Sequence, residues 1–300
     1  MTDAGRLVLG TAQWGSAYGI ANQDGPPRAG EIRRMAAAAL SAGIRTADTA
    51  RAYGSAEASV GAALDLRWSV VTKLDPDVAG EGVDAKMARR RASASLAASR
   101  SALRRERLDT VLLHRASHRV ASQGAAWSVL REELAAGRIG AIGASVMSVE
   151  EAFPLLDDPS VEVIQVPASL FDRRLLRSGF FSEAERRGRQ VFVRSVFLQG
   201  AGFLATAQLP DHLAPLRPLL RELDQRSSDA GCGRAALLMN WAKRRLDPAH
   251  IIIGCDSKQQ LQTNLAAWGV DLPDEVIRAC EDAVPDLLPD AILDPWRWPA

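Results

Sequence analysis

The sequence predicts an α/β protein, a single (β/α)8 TIM barrel that occupies residues 1–300 as one domain. Short apolar or β-branched runs alternate with longer segments of helical periodicity, a pattern that favours right-handed βαβ units and a parallel sheet. Eight such runs occur, and eight strands close a barrel. A doubly wound open sheet is the alternative, but residues 10–15 lack the Gly-x-Gly-x-x-Gly spacing that normally follows its first strand.

The eight predicted strands share short length and a high content of Val, Ile and Leu, which suits a sheet buried on both faces. They cover residues 7–9, 44–47, 69–72, 110–113, 139–144, 161–166, 190–194 and 251–253.

The segments between them carry the helical period, and Gly43 and Ser148 are suited to end one helix and begin another. We expect a C-terminal tail, from about residue 284 to 300, to pack on the barrel. The predicted helices cover residues 31–42, 55–65, 86–105, 124–136, 148–157, 173–187, 212–226, 233–245 and 258–268.

The charge balance argues against a large anionic partner. The chain has 37 Lys and Arg against 36 Asp and Glu, a net charge of +1. No broad attraction to nucleic acid or to a membrane surface follows from that balance. The local runs at residues 89–91 and 104–105 are interpreted as solvated helix faces, with an anionic partner or substrate as the alternative. We expect a small-molecule substrate and a monomer or small homo-oligomer.

Several absences in the sequence favour a cytoplasmic protein with reduced thiols. The first ten residues carry no apolar run suited to a signal peptide, and no stretch approaches about 18 uninterrupted apolar residues. No pair of cysteines has metal-ligand spacing, so no metal is expected. The three cysteines are Cys232, Cys255 and Cys280.

Four polar residues follow consecutive predicted strands at the barrel end that carries chemistry in this fold. Asp48 and Tyr53 follow the second strand, Lys73 the third and His114 the fourth. A phenol donates its proton reluctantly at neutral pH, and a nearby ammonium lowers its pKa. We expect Asp48 to hold the Lys73 ammonium, and a neutral His114 to aim a substrate oxygen at Tyr53. Each residue alone has a structural explanation, but together they indicate proton delivery to a carbonyl.

The sequence around these residues resembles the aldo-keto reductase family. The segments DTARAYGSAE, VTKL and LLHR, at residues 48–57, 71–74 and 112–115, resemble its catalytic tetrad in order and in strand context. Weaker similarities, from LVLGTAQWG near the start to IIIGCDSKQQLQTNLAA near the end, cover almost the whole chain. The resemblance implies a carbonyl–alcohol oxidoreductase with Tyr53 as its acid/base. It also implies a nicotinamide dinucleotide, usually NADP(H), bound across the barrel end.

The same resemblance assigns the cofactor contacts. Polar residues after the fifth and sixth strands would hold the nicotinamide carboxamide, and the segment from Gly254 to Asn264 would hold the adenosine phosphate at a helix N-terminus. The residues assigned to cofactor binding are Gly10, Thr11, Ser145, Gln165, Arg194, Ser195, Gly254, Ser257, Lys258, Gln260 and Asn264.

Three departures from the family pattern affect these contacts. Val146 replaces the usual Asn, so one carboxamide contact is in doubt. Arg194 replaces a stacking Tyr, and a cation beside an oxidised nicotinamide predicts a preference for reduced cofactor. Gly254 and Gln260 stand where many members have Lys and Arg, which leaves Lys258 and Lys243 as nearby cations. NADP(H) is therefore the family-based expectation, with NAD(H) as the alternative.

The substrate is indicated only by a subgroup resemblance. The segments GTAQWGSAYGIAN, VRSVFLQG and LDPWRWP resemble bacterial members found with sugar and surface-polysaccharide biosynthesis proteins. Trp14, Tyr18, Phe197 and Trp296 are candidates for an aromatic pocket wall, and packing of the C-terminal tryptophans against the barrel is the alternative. Two rival functions keep the fold: a cofactor-binding regulatory subunit, and a non-redox dehydratase- or epimerase-like enzyme.

Overall fold

In the computed structural model, which describes residues 4–22 and 24–299, eight parallel strands form a closed barrel in sequence order. Strand β1 pairs with both β2 and β8, with Leu7 opposite Ile251, so the barrel is complete. The predicted fold class is confirmed, and all eight predicted strands are present. The strands are β1 (Leu7–Gly10), β2 (Thr46–Asp48), β3 (Ser69–Lys73), β4 (Leu108–Leu113), β5 (Ile139–Ser145), β6 (Val163–Pro167), β7 (Gln190–Arg194) and β8 (His250–Gly254).

Helices cover the outside of this barrel and agree with the predicted segments in most places. They are α1 (Ala29–Ser41), α2 (Ala56–Ala63), α3 (Ala85–Leu103), α4 (Ala121–Ala135), α5 (Val149–Leu156), α6 (Arg174–Arg177), α7 (Phe180–Arg186), α8 (Leu216–Asp229), α9 (Arg234–Arg245), α10 (Lys258–Gly269), α11 (Asp274–Ala283) and α12 (Asp290–Leu293).

Two helix predictions need correction, and helix α11 lies outside the predicted helices. The segment 173–187 is two helices, because Gly179 takes a left-handed conformation between α6 and α7. Helix α8 begins only at Leu216, after a short 3-10 turn at Asp211–Leu213. Helix α11, with Ile277 and Cys280 on its buried side, lies in a segment for which no helix was predicted.

The core has two parts, separated by the sheet. Alternate residues of the strands fill the inside of the barrel with a small cluster, to which Val71, Leu112, Val163 and Phe192 belong. The opposite strand faces pack against the helices in a much larger cluster. Since successive side chains of a strand point to opposite faces, this pattern fixes which residues look into the barrel.

The C-terminal residues contact helix α6. Arg173 donates to the carbonyl oxygens of Val284 at 2.7 Å and Pro285 at 3.2 Å. Arg174 pairs with Asp290 and Asp294. The single-domain assignment of residues 1–300 stays a prediction.

The interpretation of both basic runs as solvated faces fails at one residue. Arg105 is buried, and its guanidinium contacts the Asp109 carboxylate and the Trp68 carbonyl. Within the described ranges, no helix is both long and apolar enough to cross a bilayer. All three cysteines are free.

Candidate active site

Side chains alternate between the two faces of each strand, and the candidate residues share the inward-facing phase near one rim of the barrel. Lys73, Gln165 and Arg194 each come two residues after an inward-facing core residue, namely Val71, Val163 and Phe192. His114 stands in the same relation to Leu112. Because all eight strands are parallel, their C-terminal ends meet at this rim.

The centre of the site is a buried ion pair between β2 and β3. Lys73 Nζ donates to the two carboxylate oxygens of Asp48 at 2.7 and 2.9 Å and to the carbonyl of Thr49 at 3.0 Å. Gln165 Nε2 donates to the same carboxylate at 2.6 Å. Both charges are almost completely withdrawn from water, and a buried charge is tolerated only when it is paired in this way.

Tyr53 lies on the turn that follows β2, directly above this pair. The Tyr53 amide donates to the Ala50 carbonyl at 3.1 Å, and the Arg51 amide donates to the Lys73 carbonyl at 3.3 Å. The Lys73 ammonium is 5.1 Å from the centre of the phenol ring. The His114 ring meets Tyr53 edge to face, with 6.2 Å between centroids. The structure therefore brings all four predicted catalytic residues together.

The pKa of Tyr53 differs in direction from the sequence prediction. Burial raises it above the ordinary value of 10, the Asp48 charge raises it further, and the Arg194 guanidinium lowers it. Lys73 was expected to lower this pKa, but its ammonium is bonded to Asp48 and Thr49, so its charge is largely compensated. The phenol is consequently protonated at neutral pH.

His114 is neutral at the same pH. Burial, followed by the charges of Lys73 and Arg194, lowers its pKa to about 3. Its Nδ1 atom is buried with no hydrogen-bond partner in the described part of the chain. A neutral imidazole can donate one hydrogen bond without adding charge, as a residue that orients a carbonyl must.

Two further features hold the tyrosine turn, and the sequence reasoning missed both. Glu57 was interpreted as an acid placed for the helix dipole, but it is 1% exposed and accepts hydrogen bonds from Thr72 Oγ1 at 2.6 Å and from Arg51. Gly15 approaches the same turn so closely that a Cβ atom there would lie 1.8 Å from the Tyr53 carbonyl oxygen.

A groove of about 530 Å³ begins at Tyr53 and runs across the rim to the start of α10. Two glycines face the barrel interior on adjacent strands, Gly10 on β1 and Gly254 on β8, and leave room for it. Predicted cofactor residues that line the groove are Gly10, Thr11, Arg194, Ser195, Gly254, Ser257, Gln260 and Asn264.

The other three predicted cofactor residues lie outside the groove lining. Ser145 and Gln165 are buried beside each other on paired strands, and the Oε1 atom of Gln165 has no partner in the described region. Lys258 is exposed at the first turn of α10. Lys243 is far from this turn, since its ammonium lies over Trp268 near the other end of the helix.

The predicted aromatic wall is divided between groove and core. Tyr18 and Phe197 line the groove, and the Tyr18 ring is 6.4 Å from the Tyr53 ring. Trp14 was expected in this wall, but it is 1% exposed within the outer hydrophobic core and does not line the groove. The Trp296 side chain lies outside the described residues. Phe203, which is not among the predicted wall residues, packs on Phe197 with 4.2 Å between the ring centroids.

A closed parallel barrel with this tetrad at its rim defines a class of barrel oxidoreductases, and the comparison with known families agrees. The model of the Aldo/keto reductase family matches residues 6–285, so the chain belongs to that family. No match was found among curated proteins.

Solved structures share the fold. The glycerol dehydrogenase of Gluconobacter oxydans is 23% identical, with a TM-score of 0.72 over 93% of this chain and 90% of that one. An aldo-keto reductase of Bacillus halodurans in its holo form is 19% identical, with a TM-score of 0.73 over 95% of this chain and 94% of that one. An aldo-keto reductase of Brucella melitensis is 16% identical, with a TM-score of 0.64 over 93% and 94%.

Proposed function

We propose that this protein is an oxidoreductase that interconverts a carbonyl and an alcohol, with a nicotinamide dinucleotide as hydride carrier and Tyr53 as general acid/base. The substrate class is an aldehyde, a ketone or a sugar. The observation that carries the proposal is the set of contacts around the phenol. Tyr53 is protonated, lies over a compensated Lys73–Asp48 pair and faces a neutral His114.

Each residue has a distinct part in the proposed reaction. His114 orients the carbonyl oxygen by a hydrogen bond toward Tyr53 Oη. A bound reduced nicotinamide would supply a hydride to the carbonyl carbon, and Tyr53 gives its phenol proton to the carbonyl oxygen. Arg194, whose charge lowers the Tyr53 pKa, opposes the effects of burial and Asp48 and eases loss of that proton. In the reverse direction the Tyr53 phenolate accepts the alcohol proton.

The groove fits a dinucleotide in three respects. The Oε1 atom of Gln165, which has no hydrogen-bond partner among the described residues, can accept a hydrogen bond from a carboxamide next to the catalytic pair. Gly254 pairs with Gly10 and both line the groove, so this part of its wall carries no side chain of its own. The far end reaches the start of α10, where the polar side chains of Ser257, Gln260 and Asn264 line it and can hydrogen-bond the adenosine part. Ser145, Gln165, Ser257, Gln260 and Asn264 are the proposed contacts.

The experiment is a comparison of Tyr53→Phe with Tyr18→Phe, the substitutions of the chain's two tyrosines. Purified protein is assayed for oxidation of NADH and NADPH against a panel of aldehydes, ketones and sugars. We expect Tyr53→Phe to lower kcat by about 10²–10⁴-fold, the usual contribution of a general acid, with dinucleotide affinity retained. Tyr18→Phe should act mainly on KM, because its ring lies in the groove wall.

Other results would reject the proposal. Equal kcat for Tyr53→Phe and wild type would exclude the phenol as proton donor. Dinucleotide binding without turnover across the panel would favour the regulatory function. Substrate conversion with no change in absorbance of the reduced nicotinamide would favour a dehydratase or epimerase.

A further inference from the structure

We infer that the groove selects NAD(H) over NADP(H), and that Glu31 is the residue that excludes the additional phosphate. The inference rests on the proposed function, since it concerns the adenosine end of the same groove. It departs from the family-based expectation of NADP(H) because of charges that the sequence did not reveal.

The direction of the bound dinucleotide follows from the groove. A hydride would have to be delivered beside Tyr53, so the nicotinamide would occupy that end. The remainder of the molecule would extend along the groove toward Ser257, Gln260 and Asn264 at the start of α10. The adenosine ribose and any group on its 2′ oxygen would then come near this helix N-terminus.

A carboxylate of the protein already occupies that N-terminus. Glu31 Oε1 accepts a hydrogen bond from the Lys258 backbone amide at 2.6 Å, between residues 227 positions apart in the chain. Its other oxygen, Oε2, accepts from Arg34 on the next turn of α1. The amide and the guanidinium both lower the pKa of Glu31, so it is charged at neutral pH.

Neighbouring amides at this turn are also used by the protein. The Asp256 amide donates to Gln260 Oε1 at 2.8 Å, and the Gln260 amide donates to Ser257 Oγ at 3.2 Å. Three amides that a phosphate would need, those of residues 256, 258 and 260, thus have partners. A 2′-phosphate would have to displace Glu31 to reach the amide of Lys258.

The local charge opposes such an exchange. Asp256 lies within the groove lining, where burial raises its pKa and the nearby Asp24 charge raises it further. Together with Glu31, three carboxylates therefore lie around this turn. The nearby cations are Arg34, already bound to Glu31, and the exposed Lys258. A phosphate dianion meets like charge here, whereas a ribose 2′-hydroxyl can donate a hydrogen bond to the Glu31 carboxylate.

The test measures dissociation constants rather than turnover. NADH and NADPH are titrated into the wild-type protein and into Glu31→Gln and Glu31→Ala, with nicotinamide fluorescence or calorimetry as readout. The matched control is Glu183→Gln, because Glu183 forms the same i,i+3 pair with Arg186 on α7, away from the groove.

We expect the wild type to bind NADH at least tenfold more tightly than NADPH. Both Glu31 variants should gain at least tenfold in NADPH affinity relative to NADH, because both remove the carboxylate charge and release Arg34 from its ion pair, and Glu31→Ala also frees the Lys258 amide. Glu183→Gln should match the wild type. Tighter wild-type binding of NADPH, or an unchanged ratio in both Glu31 variants, would overturn the inference while leaving the proposed function intact. If neither dinucleotide binds the wild type, the proposed function itself fails.

Discussion

The protonation states of the site residues depend on how their charges compensate each other away from water. Lys73 has its pKa lowered by burial, and the adjacent Asp48 carboxylate opposes this and keeps the ammonium charged. The same pairing reduces the influence of Lys73 on Tyr53. The Arg194 guanidinium donates to the Val146 carbonyl at 3.0 Å, and it is the charge that acts against the high Tyr53 pKa.

The neutral His114 makes stability depend on pH in a defined window. Its pKa is about 3 in the folded protein against an ordinary value of 6.5. Below pH 6.5 the unfolded chain binds a proton that the folded protein does not, so stability falls as pH decreases from 6.5 toward 3. We expect His114→Asn to reduce this loss between pH 7 and 5.5, by at most about 1.4 kcal/mol per pH unit below 6.5. Urea unfolding at both pH values measures it.

A comparison at higher pH controls for unrelated effects. Between pH 8 and 7 the unfolded histidine is mostly neutral, so wild type and variant should change in parallel. His118 and His250 also have lowered pKa values, so a residual acid dependence is expected in the variant. An identical loss for both proteins between pH 7 and 5.5 would contradict the lowered His114 pKa.

At this scale the sequence predicts which residues meet but not how they titrate. Asp48, Lys73 and His114 could be brought together because each follows a parallel strand in phase with the barrel interior. The direction of the Tyr53 pKa depends on the balance of burial and compensated charge, which no spacing reveals. The Glu31–Lys258 contact joins residues far apart in sequence. Trp14 packs in the core although Ala12 and Gln13, on the same short turn, line the groove.

Among the elements, the turn that carries Tyr53 is held by close backbone approach. Gly15, at the end of the turn after β1, lies so close to the backbone of residues 53–56 that a side chain at this position would not fit. Gly54, with φ of +56°, has the Gly15 carbonyl oxygen 2.3 Å from the position of a Cβ atom. Two glycines thus let the β1 and β2 loops contact each other directly.

We expect Gly15→Ala to lower kcat by about a hundredfold, since a displacement of about 1 Å in a catalytic group has an effect of that order. The added methyl group would lie 1.8 Å from the Tyr53 carbonyl and 2.3 Å from the Ala56 amide, so the turn must move. Steady-state kinetics measures the loss, and dinucleotide affinity reports whether the groove survives.

The control for this substitution is Gly233→Ala, at the start of α9, where a Cβ atom meets nothing within 4 Å. It should leave kcat close to the wild-type value. Equal kcat for Gly15→Ala and wild type would show that the turn tolerates displacement.

The sequence predicts that the strands and helices exist better than it predicts where a helix is interrupted. Hydrophobic periodicity gave every strand and most helices, but the division at Gly179 depends on a left-handed residue within an otherwise helical pattern. Helix α11 follows Pro273 and opens with Asp274 and Glu275, which are start signals for a helix. Pro273, Asp274 and Glu275 are thus the signal by which the sequence indicates this helix.

At the scale of the whole molecule, two consecutive arginines, Arg173 and Arg174, hold the C-terminal segment from residue 284 onward. Arg174 contacts Asp172 at 2.9 Å and Asp294 at 3.1 Å, and the side chains of both carboxylates are almost fully buried. Arg173 adds hydrogen bonds to the carbonyls of Val284 and Pro285. The family match ends at residue 285, so part of this segment lies beyond the shared sequence.

Arg174→Met should lower the free energy of unfolding by about 3 kcal/mol, the upper value for hydrogen bonds to charged groups, because the buried Asp172 loses its ion pair with Arg174 and Asp294 keeps only the pair with Arg297. Urea denaturation measures the change. Arg278→Met removes an exposed ion pair with Asp274 from the nearby helix α11 and should cost less than about 1 kcal/mol. Similar losses for the two variants would mean that Arg174 does not stabilise the C-terminal segment.

The contact between β1 and β8 sets the order in which the protein can be completed during synthesis. Leu7 cannot meet Ile251 until the ribosome has synthesised the 243 residues that separate them. Until then the nascent sheet has two free edges, at β1 and at its most recent strand, and such edges readily join those of neighbouring chains. Barrel closure is thus a late, non-local event. The nascent chain is most exposed to aggregation, and most in need of chaperones, before β8 has been synthesised.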